Sequence, residues 1–222
     1  MINENVEIVI KSLPLLGQGA IITLKICTIS IVVGLMVGTV FGVLNSKYVA
    51  CQIGKQLIQA YVALIRGTPL FVQLLIIYFG LPSMLHVEIS AELSGIIALS
   101  CNSAAYLSEI VRGGLNHLPT GQYEAAYVLG YSKVEAIFYI LMPQMYKNVW
   151  SAITNEFVAL IKESSILMML GVHELTKVSK DIVTKELKPM QIYLMTALIY
   201  FLLTWVTAKI LKKYEVKKYE HA

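Results

Sequence analysis

The chain has 222 residues, of which 57% are hydrophobic and 14% charged, and its mean hydropathy is +0.68. Soluble domains carry about 45–50% apolar and about 25% charged residues, so this composition excludes an ordinary soluble protein and points to a bilayer. The net charge is +4, with lysines gathered at the ends of apolar runs; nucleic acid is excluded as a partner because no basic stripe exists to bind it.

The opening stretch "MINENVEIVIKSLP" lacks the basic leader of a cleaved signal peptide and is expected to stay in the mature chain. A helix needs about 20 apolar residues to cross a bilayer. Five segments qualify, at about residues 19–43, 57–81, 93–111, 149–171 and 192–211. In the first, Gly34, Gly38 and Gly42 recur every fourth residue, a spacing that lets two helix backbones approach closely. Their partner is either another helix of the chain or a second subunit. Lys25 in the same span is accounted for by snorkelling.

In the second span Thr68 precedes Pro69, whose missing N–H frees a backbone carbonyl in mid-membrane. Broken helices of this kind line substrate sites in transporters, and they also serve as plain packing kinks. Arg66 lies nearer one end, where snorkelling is an adequate account. The third span offers Asn102, Ser103 and Tyr106. The Asn102 amide either reads a ligand or bonds a neighbouring helix. Glu109 and Arg112, three residues apart, are expected to pair with each other.

The stretch "GQYEAAYVLGYSKVEAIFYILMPQ" (121–144) reads as helix but not as membrane. Gly130 permits a left-handed stop after a first short helix. A second helix starts at Ser132, with Glu135 completing a capping box, and Pro143 marks its end or a kink. Two short helices at an angle make a knob suited to a cleft on another protein.

The fourth span places Lys162 and Glu163 about 20 Å in from its Val149 end at 1.5 Å per residue, where each needs a partner. Adjacent helical residues point about 100° apart, so the two do not satisfy each other. Their partners lie on another helix, in water or on a ligand; Glu163 with Arg66 is one such interhelical pair. Ser164 and Ser165 either donate to a ligand or bond back to their own helix. Cys27, Cys51 and Cys101 read as small apolar packers, and the four histidines show no ligand spacing, so no metal site is expected.

Lysine and arginine near span ends set the orientation. With the N-terminus outside, the inner side receives Lys47, Lys55, Arg112, Lys133, Lys147 and the tail lysines Lys209, Lys212, Lys213, Lys217 and Lys218. The stretch "ELTKVSKDIVTKELKP" dissents, holding Lys177, Lys180, Lys185 and Lys188 outside.

Glu124-Ala125-Ala126, then Gly130, Ile140 and Pro143, resembles the EAA loop of ABC-importer permeases, with Met142 where that family has leucine. "RGTPLFVQLLIIYFGLP", "SAAYLSEIVRGGLNHLPTGQYEAA" and "ALIKESSILMMLGVHEL" resemble its polar-amino-acid branch, the histidine, glutamine and arginine importers. The resemblance covers most of the chain from about residue 60 to 175. It implies one all-α permease domain over 1–222, of the type I importer fold, N-terminus outside and C-terminus inside a bacterial inner membrane. Its EAA segment (about 113–147) would seat in a cytoplasmic ATP-binding subunit through Glu124, Ala125, Ala126 and Gly130.

The resemblance also implies a second permease chain, as homodimer or heterodimer, and an extracytoplasmic amino-acid-binding protein. The chain has no G-x-x-x-x-G-K-[ST] loop, so ATP and magnesium are expected on the partner and no cofactor here. An amino acid zwitterion matches Lys162 through its carboxylate and Glu163 through its ammonium or a cationic side chain. Ser164, Ser165, Thr68, Asn102, Ser103 and Tyr106 complete the expected binding set, which favours basic amino acids. The competing class is an ion-gradient-driven secondary transporter with Glu163 as its titrating group. Five spans without an inverted repeat argue against it, and it has no use for the EAA segment. A membrane enzyme lacks any nucleophile–base pair.

Overall fold

Apolar runs surrounded by hydrocarbon can satisfy their backbone only as helices or closed barrels, and this chain takes the helical solution. The computed structural model describes the backbone of residues 2–49 and 51–219, and the side chains of residues 8, 10–49 and 51–215; those of Lys217 and Lys218, and all of His221, lie outside the described residues. Ten α-helices follow one another: α1 (Ile2–Leu44), α2 (Gln52–Gly67), α3 (Leu70–Leu75), α4 (Leu81–Leu85), α5 (Ala91–His117), α6 (Thr120–Val128), α7 (Lys133–Glu135), α8 (Met142–Glu163), α9 (Leu175–Glu186) and α10 (Pro189–Tyr219). π-helical stretches join α3 to α4 and α7 to α8, and a 3-10 helix, Ser164–Leu170, extends α8. Among the described residues there is no strand.

Helix α5 is the centre. Its Ser94, Gly95, Ala98, Leu99, Asn102 and Ser103 are among the residues it buries, and α1 lies along it. A Cβ built on Gly34 would fall 2.7 Å from Ser103 Cβ, on Gly38 2.8 Å from Leu107 Cβ, and on Gly42 2.6 Å from Val111 Cβ. The glycine ladder is therefore a contact within the chain, and the open alternative closes. Ser30 adds a hydrogen bond to the Ile96 carbonyl at 3.3 Å.

The segment expected to cross at 57–81 is not one straight rod. Helix α2 stops at Thr68 (φ −119°, ψ 148°) and α3 sets off after Pro69, the halves meeting at 106°. Thr68 is held extended because a residue before proline avoids the helical region. Pro69 has no N–H for the Ile65 carbonyl four residues back. Gln73 supplies it instead: its Nε2 donates to Ile65 O at 2.7 Å and to Thr68 O at 3.1 Å. The Thr68 hydroxyl turns back to Leu64 O at 2.8 Å.

Gly130 takes φ +87°, and Tyr131 N–H bonds back to Ala126 O at 3.1 Å, closing the Schellman pattern expected of a glycine stop. The capping box also forms, with Ser132 N–H donating to Glu135 Oε2 at 2.8 Å and Glu135 N–H to Ser132 Oγ at 3.3 Å. Hydrogen bonding from Ser132, by side chain and then backbone, holds the Glu135 carboxyl below its usual range. Pro143 does not end the helical run, which continues to Glu163. The chain widens into a π-helix over Ala136–Leu141, directly before Pro143 at the start of α8.

Helices α1 and α10 are each long and apolar enough to cross a membrane alone, and the α2–α4 stretch qualifies as one bent pair. The spans expected at 93–111 and 149–171 are α5 and α8 with its 3-10 extension. Both are diluted by polar residues, several of which turn inward: Ser100, Asn102, Ser108 and Thr154 are buried.

Substitution of Gly38 or Gly42 by alanine should lower the melting temperature of the purified chain, by about 1–3 kcal/mol of overpacking. The control, Gly113→Ala, has nothing within 4 Å of its new methyl and should gain up to about 1 kcal/mol of helix propensity.

Candidate functional site

The break at Pro69 opens a space. A cleft of about 550 Å³ lies between Pro69, Leu70 and Phe71 on one side and Glu163, Ser165, Ile166, Met168, Met169 and Thr176 on the other. Two departures from α-helix build it. Pro69 turns one wall away from its own helix, and the tighter 3-10 winding after Glu163 swings Ser165 and Met168 into the other wall. Glu163 is the charged side chain of this lining.

The expected binding residues divide. Glu163 and Ser165 come together in the cleft with Pro69; Thr68 itself lies outside the lining, its hydroxyl donating to Leu64 O. Lys162 is exposed but outside the cleft lining, one helical step round from Glu163. Neither of the two makes an ion pair among the described residues. Ser164 is fully buried and donates to Ile161 O at 2.8 Å, the back-bonding alternative.

Asn102, Ser103 and Tyr106 belong to a second cluster. Asn102 and Ser103 are buried, and Ser103 Oγ donates to Glu156 Oε1 at 3.3 Å. The Arg66 guanidinium stacks 4.9 Å from the centre of the Tyr106 ring, a cation–π contact. It does not pair with Glu163. Glu109 and Arg112 form the expected pair, two-pronged at 2.9 and 2.6 Å.

Two polar residues in these clusters escape a reading by sequence alone. Glu156 sits seven residues before Glu163, two turns away on one helix face, and the charge of Glu163 acts on it. That spacing is the signal that finds it. Gln73 is buried, and while its amide nitrogen serves the break its Oε1 has no partner among the described residues. Nothing local in the sequence marks it, because its role depends on the proline four residues earlier.

Of the two short helices expected for the knob, only α6 is one; α7 is the start of a helical run that continues to Glu163. Glu124 and Ala125 are exposed, whereas Ala126 is buried against the chain itself. The outward surface carries Tyr127, Val128 and Leu129, exposed at 68%, 85% and 75%. Large apolar side chains that bare, next to one another, mark a contact surface.

Comparison with known proteins gives the family and the fold. Residues 30–215 match the family described as binding-protein-dependent transport system inner membrane component. The arginine transport system permease protein ArtQ of Bacillus subtilis (strain 168) is 34% identical over 220 residues, covering 97% of both chains. The glutamine transport system permease protein GlnP of Escherichia coli (strain K12) is 30% identical over 205 residues, covering 92% of this chain and 93% of its own. A solved amino acid ABC transporter, crystallised with histidines, superposes with a TM-score of 0.84 at 35% identity, over 94% of this chain and 96% of that one. An inward-facing MetNI methionine ABC transporter shares the fold, with a TM-score of 0.73 at 19% identity over 90% and 95% of the two chains. The fold is that of type I importer permeases, and a gradient-driven secondary transporter is set aside. By sequence along most of its length and by the course of its helices, the chain belongs to the binding-protein-dependent transport system inner membrane component family, the permeases of ABC importers.

Proposed function

We propose that the chain moves polar amino acids, basic ones in preference, through the cleft beside Pro69, with Glu163 facing the substrate's cationic group. The observation that carries this reading is a carboxylate with no ion-pair partner among the described residues, lining a cleft at a helix break. In a low-dielectric surrounding such a group calls for a cation. Ser165 lines the same cleft and offers its hydroxyl to a carboxylate, whereas the Thr176 hydroxyl is bonded to the Tyr200 hydroxyl at 2.8 Å. Lys162, Asn102, Ser103 and Tyr106 take part from outside the lining; Ser103 and Tyr106 act on the cleft through Glu156 and Arg66.

The lysine bias puts the N-terminus outside and the α6–α7 knob in the cytoplasm. There the exposed Tyr127, Val128 and Leu129 seat in a groove of an ATP-binding subunit, with Glu124, Ala125 and Gly130 shaping the knob. ATP and magnesium belong to that partner. A second permease chain completes the path, and an external binding protein delivers the amino acid. All of 1–222 acts as one permease domain.

Coupling is mechanical. From residue 133 to 163 the chain stays helical without a break, roughly 45 Å at 1.5 Å per residue. A pull on α7 by closing ATPase subunits therefore reaches Glu163 along one rod, changing the cleft's access from one side to the other.

In proteoliposomes holding the assembled transporter, arginine uptake should depend on internal ATP. Glu163→Gln should reduce it at least about tenfold, the loss expected for one hydrogen bond to a charged group. Unaltered uptake by that variant would remove Glu163 from the substrate path, and uptake without ATP would overturn the importer itself. A second variant tests the knob. Val128→Asp leaves the fold intact, since Val128 is 85% exposed, yet should abolish ATP-driven uptake and co-purification of the ATPase.

A further inference from the structure

The lysines of α9 lie outside the cleft lining. Helix α9 lies across the N-terminal part of α1, with Leu175, Ser179 and Ile182 buried, and a groove runs beside the contact. One part of the groove is a cavity of about 290 Å³, predominantly apolar, with Leu15, Ile22, Val178 and Ile182 in its lining. The other part, about 300 Å³ and evenly mixed in character, adds Ile8, Lys11, Ser12 and Glu186. Leu15, Ile182 and Lys185 border both, so the two are halves of one groove.

The change in polarity follows position along α1. The apolar stretch of α1 runs from Ile10 to Leu44. Gly19 and Ile22, in the apolar half, lie about two to three turns into it, whereas Ile8, Lys11 and Ser12, in the mixed half, sit at its start. One half thus meets the acyl layer and the other the headgroup layer. The flank of α1 beside the groove is bare, with Leu15 exposed at 50% and Ile21 at 68%, so in the membrane its mouth opens to lipid. Asp181 also lines the apolar half, but Lys177 holds it in an ion pair, leaving Lys185 as the charge common to both halves. Glu186 borders the outer half, which suits a single phosphate charge and not a polyanion.

We propose that this groove is a phospholipid site, with one acyl chain in the half lined by Leu15, Ile22 and Val178 and the phosphodiester at Lys185. The lipid fills the wedge between α1 and α9 and ties α9 to the membrane surface. Lys185, which runs against the orientation bias, then has a local reason: a phosphate at the headgroup level.

The test uses the full chain, purified and stripped of lipid, titrated with phosphatidylglycerol, phosphatidylethanolamine or phosphatidylcholine, with diacylglycerol as the amphiphile lacking phosphate. Native mass spectrometry and melting temperature read the binding. The wild type should take up one phospholipid saturably and gain melting temperature. Lys185→Gln should weaken that binding about fivefold, the contribution of one lysine near an anionic lipid surface, and Leu15→Trp should block it by filling the slot. Both side chains are exposed, so the lipid-free variants should melt with the wild type. Lys180→Gln, on α9 but outside the groove lining, should bind as the wild type does. The site is overturned if the two groove variants bind normally, if diacylglycerol binds as well as phospholipid, if Lys180→Gln weakens binding as much as Lys185→Gln, or if a second copy of the chain occupies the groove.

Discussion

In hydrocarbon each backbone N–H or C=O without a partner costs several kcal/mol, and this constraint governs the Thr68–Pro69 break. A proline in mid-membrane strands the carbonyl four residues behind it. Here that carbonyl, Ile65 O, receives the Gln73 amide at 2.7 Å, and the same nitrogen reaches Thr68 O. One side chain therefore stabilises a turn of 106° that would otherwise be prohibitive. The cleft exists because of that turn: Pro69, Leu70 and Phe71 become a wall only when α3 leaves the axis of α2. Remove the amide and the cleft has no stable edge.

The opposite wall comes from a different irregularity, the passage of α8 into 3-10 winding at Ser164. Both walls rest on α5, which is buried along much of its length. Packing against α5 lets polar residues survive inside a membrane domain. Ser103 and Glu156 bond across two helices, and Arg66 rests on Tyr106, so charges that would be costly against lipid are held against protein.

What the sequence discloses, it discloses through local chemistry. Gly130, Ser132 and Glu135 announce a stop and a start because the left-handed turn and the capping box need only neighbouring residues. Glu109 and Arg112 announce their pair for the same reason. Pro143 signals an irregularity but not an end, since no residue pattern between Ser132 and the proline announces the π-helical winding over Ala136–Leu141 that carries the helix past it. The glycine ladder shows that something approaches closely but not what, because Ser103, Leu107 and Val111 are distant in the chain. Glu163 stands out as an intramembrane charge, while Ser164 beside it looks equally available until its hydroxyl is seen bonded to Ile161 O.

The seam between α1 and α5 has a consequence for motion. Side chains that interdigitate can slip from one rotamer to another, but at Gly34, Gly38 and Gly42 the α1 backbone meets its neighbour with no side chain of its own between. Displacing either helix along the other by one residue, about 1.5 Å, would drive Leu107 or Val111 into the facing backbone. The two helices can only separate or travel together. They form one rigid pair within the subunit.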